Sequence, residues 1–347
     1  MPTRTIKYLR ALLVWYLLPF LWNTAWGNQD VVVVATGEDG RGRARRSGRV
    51  LEFRGGQLVL ETATGRKTTI PADRVLDIET AQAEPHRQGD RALREGRYQD
   101  AAEHYQAALD NNQEQRDWVR QRIVASLVRC QHARGKHDSA GRLFISLLQD
   151  DPKSPYLDTI PLAWTAGQQA SANQVAQWLT DPSPAIQLLG ASYALAAPHR
   201  DQALQKLNRL SLHSDGPIRI LAKTQLWRTQ VANPDRAEIK HWPALIQQLP
   251  SAQRAGPYHI LGLALAAAGE HEQAALAQLR VRILFPAPPQ LASEALLAAG
   301  KSLYHLDRQA AARQVLGELI ANFPQTRAAA EAQQRLESTH PNPQTPN

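Results

Sequence analysis

A spacing of small and aromatic residues recurs along this chain and constrains its fold more than any other feature. The segment Gly89-x2-Ala92-x3-Gly96-Arg97-Tyr98-x2-Ala101-x3-Tyr105-x2-Ala108 reads as a helix, a glycine turn and a second helix. The same spacing returns as Leu127, Gly135, His137, Ala140, Phe144, Leu147 and Pro152, and again as Tyr258, Leu261, Gly262, Gly269, His271, Ala274, Val281 and Pro286. A further copy is Leu296, Gly300, Ala312, Leu316, Leu319 and Pro324. Each residue type has a mechanical reason. Glycine or alanine sits where two helices cross closely, a second glycine ends the first helix, and proline stops the second. An apolar share of 43% with only 6% aromatic residues suits helices that approach through small faces.

This pattern resembles the tetratricopeptide repeat family. The resemblance implies a mainly α protein, a right-handed α-solenoid of tetratricopeptide-like helical hairpins over residues 82–337. The 134 residues between the starts of the second and third copies leave room for three more hairpins of that period. Leu189-Gly190-x2-Tyr193 with Ala203, Leu207 and Leu210 is a displaced copy there, while Asp181-Pro182-Ser183-Pro184 and Asp215-Gly216-Pro217 open helices with a HEAT-like character. Residues 155–250 are therefore open to either packing. Residues 326–337 read as a last helix and 338–347 as a disordered tail.

Residues 1–27 have the three parts of an export signal: Arg4, Lys7 and Arg10, an apolar run over residues 11–22, and Ala25-Trp26-Gly27 at a cut before Asn28. The run is 12 residues long and contains Pro19, short of a membrane span. The expectation is a periplasmic or extracellular protein, the alternative being anchorage by an uncleaved signal. Without the signal, Lys plus Arg falls from 40 to 37 against 32 Asp plus Glu. That +5 is not a nucleic-acid binder's charge. The single cysteine, Cys130, excludes an internal disulfide framework and reads as a buried apolar residue in a repeat.

Five short runs at residues 31–35, 49–53, 57–61, 67–70 and 75–79 are rich in β-branched and apolar residues and bounded by turns, with Gly55-Gly56 and Gly65-Arg66 as tight hairpin links. Leu51 and Phe53, Leu58 and Leu60, and Leu76 and Ile78 alternate with polar partners, so one face of a bent sheet is apolar. With the Pro71-led turn between the last two runs, residues 29–80 resemble a small five-stranded β-barrel of the Sm-like kind, a resemblance that implies an adaptor module. Arg41, Arg43, Arg45, Arg46 and Arg49 fall between the first two runs. They read as a solvated, mobile loop or, alternatively, as an attachment point for an anionic polymer or surface.

No catalytic constellation stands out, and no cofactor or metal site is expected. Cys130 and His132 are two residues apart on a helix and point about 200° apart, so they read as a core thiol and a surface imidazole. His137 and His271 read as seam residues. The family resemblance implies a concave surface made by the first helix of each hairpin, a groove for extended peptides or partner helices. Helical phase points Asp90, Arg94, Arg122, Arg129, His132, Lys301, Tyr304 and His305 to that surface. The residues with which some family members clamp a peptide carboxylate are not matched. The expectation is a non-enzymatic protein-interaction scaffold, with an envelope polymer or surface binder as the alternative.

Overall fold

A computed structural model of the chain describes residues 29–37, 42–110, 114–196, 198–285 and 287–338. The stretch read as an export signal, Arg41, Pro286 and the residues past 338 lie outside them. The chain divides into two units, Met1–Ala83 and Glu84–Asn347.

The first unit is an antiparallel sheet of β1 (Asp30–Thr36), β2 (Gly42–Arg54), β3 (Gln57–Glu61), β4 (Lys67–Pro71) and β5 (Val75–Glu79), in the order β4-β3-β2-β1-β5. Residues 42–48 of β2 pair with β1 and residues 49–54 with β3. The strand turns from one partner to the other at Gly48, where a Cβ would strike the Glu61 carbonyl. Val32, Val34, Val50, Phe53, Leu58, Leu60, Ile70 and Ile78 form the core. Buried Asp30 ties three strands, accepting the Val50 N–H at 2.7 Å and the hydroxyl of Thr80, just past β5.

Three expectations change here. Arg43, Arg45, Arg46 and Arg49 lie on β2 and not in a mobile loop, because β1 needs backbone partners along that edge and exposed arginine stems do not interfere with them. Among the described residues β4 and β5 are the outer strands of the ladder, joined by a 3-10 turn at Ala72–Arg74, so the observed pairing is that of a five-stranded antiparallel sheet and includes no β4–β5 pair that would close a barrel. A bulge between Val50 and Glu52 puts Val50 and Phe53 inside and leaves Leu51 half-buried, and another between Val33 and Val34 accompanies an exposed Leu76.

The second unit is helical. It begins with hairpins α1 (Glu84–Arg94) with α2 (Tyr98–Asp110), and α3 (Asp117–Ala133) with α4 (His137–Asp150). Residues 151–171 carry only a 3-10 turn, Leu157–Thr159. There follow α5 (Ala172–Thr180), α6 (Pro184–Ala194), α7 (Arg200–Leu210), α8 (Gly216–Trp227) and the short α9 (Arg236–Ile239) and α10 (Trp242–Gln247). The last elements are α11 (Ala255–Ala267), α12 (His271–Leu284), α13 (Pro289–His305), α14 (Gln309–Asn322) and α15 (Arg327–Ser338). Gly96, Gly135 and Gly269 take positive φ just past helix ends, and Asp307 does the same work between α13 and α14. Gly262 faces the side chain of Gln278, and Gly300 faces Leu316.

The three hairpins anticipated for the middle are not all present. Helices α6 and α7 pair, and α8 is followed by α9 and α10, but residues 151–171 do not form the first helix of another hairpin. Pro152, Pro155 and Pro161 remove helix donors there. Contacts also pass beyond nearest neighbours. Gln290 Nε2 on α13 donates to the Ala133 carbonyl at the end of α3 (3.1 Å), and one core runs from Ala125 to Ala295.

Candidate binding groove

First helices of successive hairpins touch in series, α6 to α8, α8 to α11, α11 to α13 and α13 to α15, while α7, α12 and α14 each join two of them. Residues 157–168 lie against this row in an irregular path of turns, beginning with the 3-10 turn and continuing without helix or strand. Ile160, Leu162, Ala163 and Trp164 are buried, and the row supplies the backbone partners that a non-helical segment lacks. Ser192 of α6 accepts the Ala163 N–H at 3.1 Å, and the hydroxyl of buried Tyr193 donates to the Pro161 carbonyl at 2.8 Å. Gln225 Nε2 of α8 and Arg228 Nη1 both donate to the Ala163 carbonyl, at 3.1 and 3.0 Å. Gln168 Oε1 accepts from the N–H groups of Trp164 and Thr165. The Trp164 ring lies on Gly256 of α11, where any Cβ would collide with it.

Trp164 lines two cavities. The larger, about 480 Å³, is lined by Leu93, Tyr98, Arg129, His132, Ile160 and Leu291 among others. The smaller, about 360 Å³, includes Arg228, His259, Leu263, Glu294, Leu297 and Lys301. The groove side of the row is thus partly filled by the chain's own segment and open on both sides of one indole.

The anticipated groove residues divide. Arg129 and His132 line the larger cavity, Arg129 reaching Asp158 of the inserted segment at 3.4 Å. Lys301 lines the smaller and pairs with Glu331 of α15 at 2.8 Å. Tyr304 packs in the seam with Leu303, Ala275 and Ala312, and His305 stacks on His271 of α12 at 4.3 Å, and neither lines these two cavities. Asp90 accepts the Tyr105 hydroxyl at 2.7 Å within the first hairpin. Arg94 and Arg122 line neither cavity.

His132 is not the anticipated surface imidazole. It is buried against His137, their rings 5.3 Å apart, and burial pushes its pKa down to about 3. Cys130 is buried, and burial raises its thiol to about 12. His259 bonds Gln278 at 2.9 Å and is pushed down to about 4 by burial. Among the described residues no group of three or more His, Cys, Asp and Glu could hold a metal ion, and no helix is long and apolar enough to cross a membrane. Sequence reasoning missed Trp164, Ser192, Gln225 and Arg228. The three prolines before Trp164 were the available signal that this stretch is not helical.

Antiparallel helical hairpins in series, with first helices contacting first helices, define an α-helical repeat array. Residues 92–160 and 294–326 match models of the tetratricopeptide repeat, so the chain carries repeats of that family in those two segments. No curated protein matches the chain. Among solved structures it is similar to the complex of the TPR2AB domain of yeast Sti1 with pHSP90, at 12% identity over 72% of this chain and 95% of that one. The TM-score is 0.28, too low for shared overall shape, and nothing about this chain's partner follows from it.

Proposed function

We propose that the chain is an exported, non-enzymatic protein-interaction scaffold that holds an extended segment of a partner against the first-helix row. The observation that carries this reading is the pair of cavities flanking Trp164. A row that already holds a non-helical stretch of its own chain through side-chain donors has the chemistry to hold another such segment. The two tetratricopeptide segments support the same reading. Export rests on the tripartite N-terminus, and the partner is accordingly periplasmic or extracellular.

The test is selection of a displayed peptide library on the purified chain, followed by Ala252→Glu in the larger cavity and Ala298→Glu in the smaller. Both alanines line open space and are not fully buried, so the variants keep the fold. A carboxylate that an apolar peptide would have to cover should weaken binding about 10-fold or more. Peptides whose affinity ignores both variants would overturn the groove reading. If binding instead collapses between low and moderate salt and depends on Arg43, Arg46 and Arg49, the β2 arginines hold an anionic polymer. Export is checked by cell fractionation and by mass spectrometry of the mature N-terminus, expected at Asn28.

A further inference from the structure

One cation lining the smaller cavity, Arg228, is paired with no described carboxylate. Arg228 follows the last residue of α8, and its Nη1 donates to the Ala163 carbonyl (3.0 Å), the Ser192 carbonyl (2.7 Å) and Gln225 Oε1 (2.6 Å). All three acceptors are neutral and all engage one nitrogen, so the rest of the guanidinium fork keeps its donors for another acceptor. Among the described residues no carboxylate pairs with Arg228, and burial lowers its pKa to about 10. The other cation of the cavity, Lys301, is already paired with Glu331.

We propose that this cavity takes an acidic side chain of the protein partner, its carboxylate on the unused donors of Arg228 and its neighbouring apolar residue against Trp164, Leu263 and Leu297. The inference rests on the reading that the row holds a partner segment, and adds what that segment must carry. A planar carboxylate matches two parallel guanidinium donors. The carboxylate of Glu294, which lines the same cavity, disfavours the higher charge of a phosphate.

The experiment titrates N-acetyl-leucyl-glutamyl amide and its glutaminyl twin into the full chain, following the indole N–H resonance of Trp164. The acidic probe should bind about 10-fold more tightly than the amide twin, the usual worth of a charge-assisted hydrogen bond. Arg228→Gln should abolish the difference, Arg228→Lys should retain part of it, and Glu294→Gln should enlarge it by removing a like charge. Equal binding of the twins to the unaltered chain overturns the proposal, as does inorganic phosphate displacing the acidic probe more effectively than acetate does. Because Arg228 also fastens residue 163, Arg228→Gln is read only where its melting temperature matches that of the parent. Otherwise the twin comparison and Glu294→Gln decide. Library peptides that bind the groove variants as predicted but carry no acid and ignore Arg228→Lys would sink this inference alone. A library yielding no groove binder at all would remove the parent reading as well.

Discussion

Gly256 and Trp164 meet so closely that the glycine is required by the indole, not by its own backbone, which is ordinary helix. Gly256→Leu should force the ring away and loosen the inserted segment, costing about 1 to 3 kcal/mol as overpacking does. Chemical denaturation measures the loss, and Trp164 emission should shift toward that of a solvated indole. Gly317→Ala on α14 is the control, because its new methyl meets nothing within 4 Å. The buried imidazoles make a separate prediction about pH. His132 titrates at about 3 in the folded chain, against roughly 6.5 when unfolded. Below pH ~6.5 the unfolded state therefore binds a proton that the folded state refuses, so stability is intact above that pH and is lost as pH falls toward 3. His132→Phe should reduce the slope of stability against pH by about 1.4 kcal/mol per unit between pH 6 and 4. Urea melts at three pH values in that window read this directly, and an unchanged slope would mean that the imidazole is solvated.

Strand β2 separates what a sequence shows from what it conceals. Its second half, with alternating apolar residues, was legible, whereas its first half reads as a charged loop because Arg43, Arg45 and Arg46 outweigh one apolar position, Ala44. What makes that half a strand is the backbone demand of β1, a non-local term that no local composition carries. Neutralising Arg43, Arg45 and Arg46 to glutamine should therefore leave the sheet folded. It removes the two-pronged bond from Arg45 to Glu79, but both groups are exposed and the ladder hydrogen bonds remain. An unchanged far-ultraviolet spectrum and melting temperature are expected, and unfolding of the sheet would show that β2 depends on its charges. The helical hairpins were legible for the opposite reason, since helix hydrogen bonds, turn glycines and crossing residues are all local in sequence. The groove was only half legible. Phase along α3 puts Arg129 and His132 on one face and both line the larger cavity, His132 buried there and not solvated, whereas Tyr304 and His305 lie at the end of α13 against α12. Residues 157–168 were invisible as a structural element, because their stability comes from Ser192, Gln225 and Arg228, 29 to 65 residues away in sequence.

That inserted segment also changes how the helical unit should unfold. In a plain solenoid each hairpin touches only its neighbours, and stability is close to a sum over repeats, so end hairpins open before central ones. Here Gln225 and Arg228 of the α8 region bind the carbonyl of residue 163, Gln253 reaches the Leu157 carbonyl at 3.5 Å, and Gln290 of α13 binds that of Ala133. The core from Ala125 to Ala295 is correspondingly continuous, whereas Leu316, Leu319, Ala328, Ala329 and Ala332 of α14 and α15 belong to a small separate cluster. Opening α8 or α11 therefore exposes the inserted segment and the contacts that hold α6 and α13, and these elements should open together. Native-state hydrogen exchange should give amides of α3, α6, α8 and α11 one common opening free energy, with α14 and α15 exchanging at a lower one. Trp164→Ala tests the cause, because deleting the indole should destabilise the chain by about 3 to 5 kcal/mol. It should lower the shared value for α3, α6, α8 and α11 together and leave α14 and α15 nearly unchanged. A graded series of opening energies from end to centre, unaffected by Trp164→Ala, would mean that the repeats behave as an ordinary one-dimensional array and that residues 157–168 merely fill space.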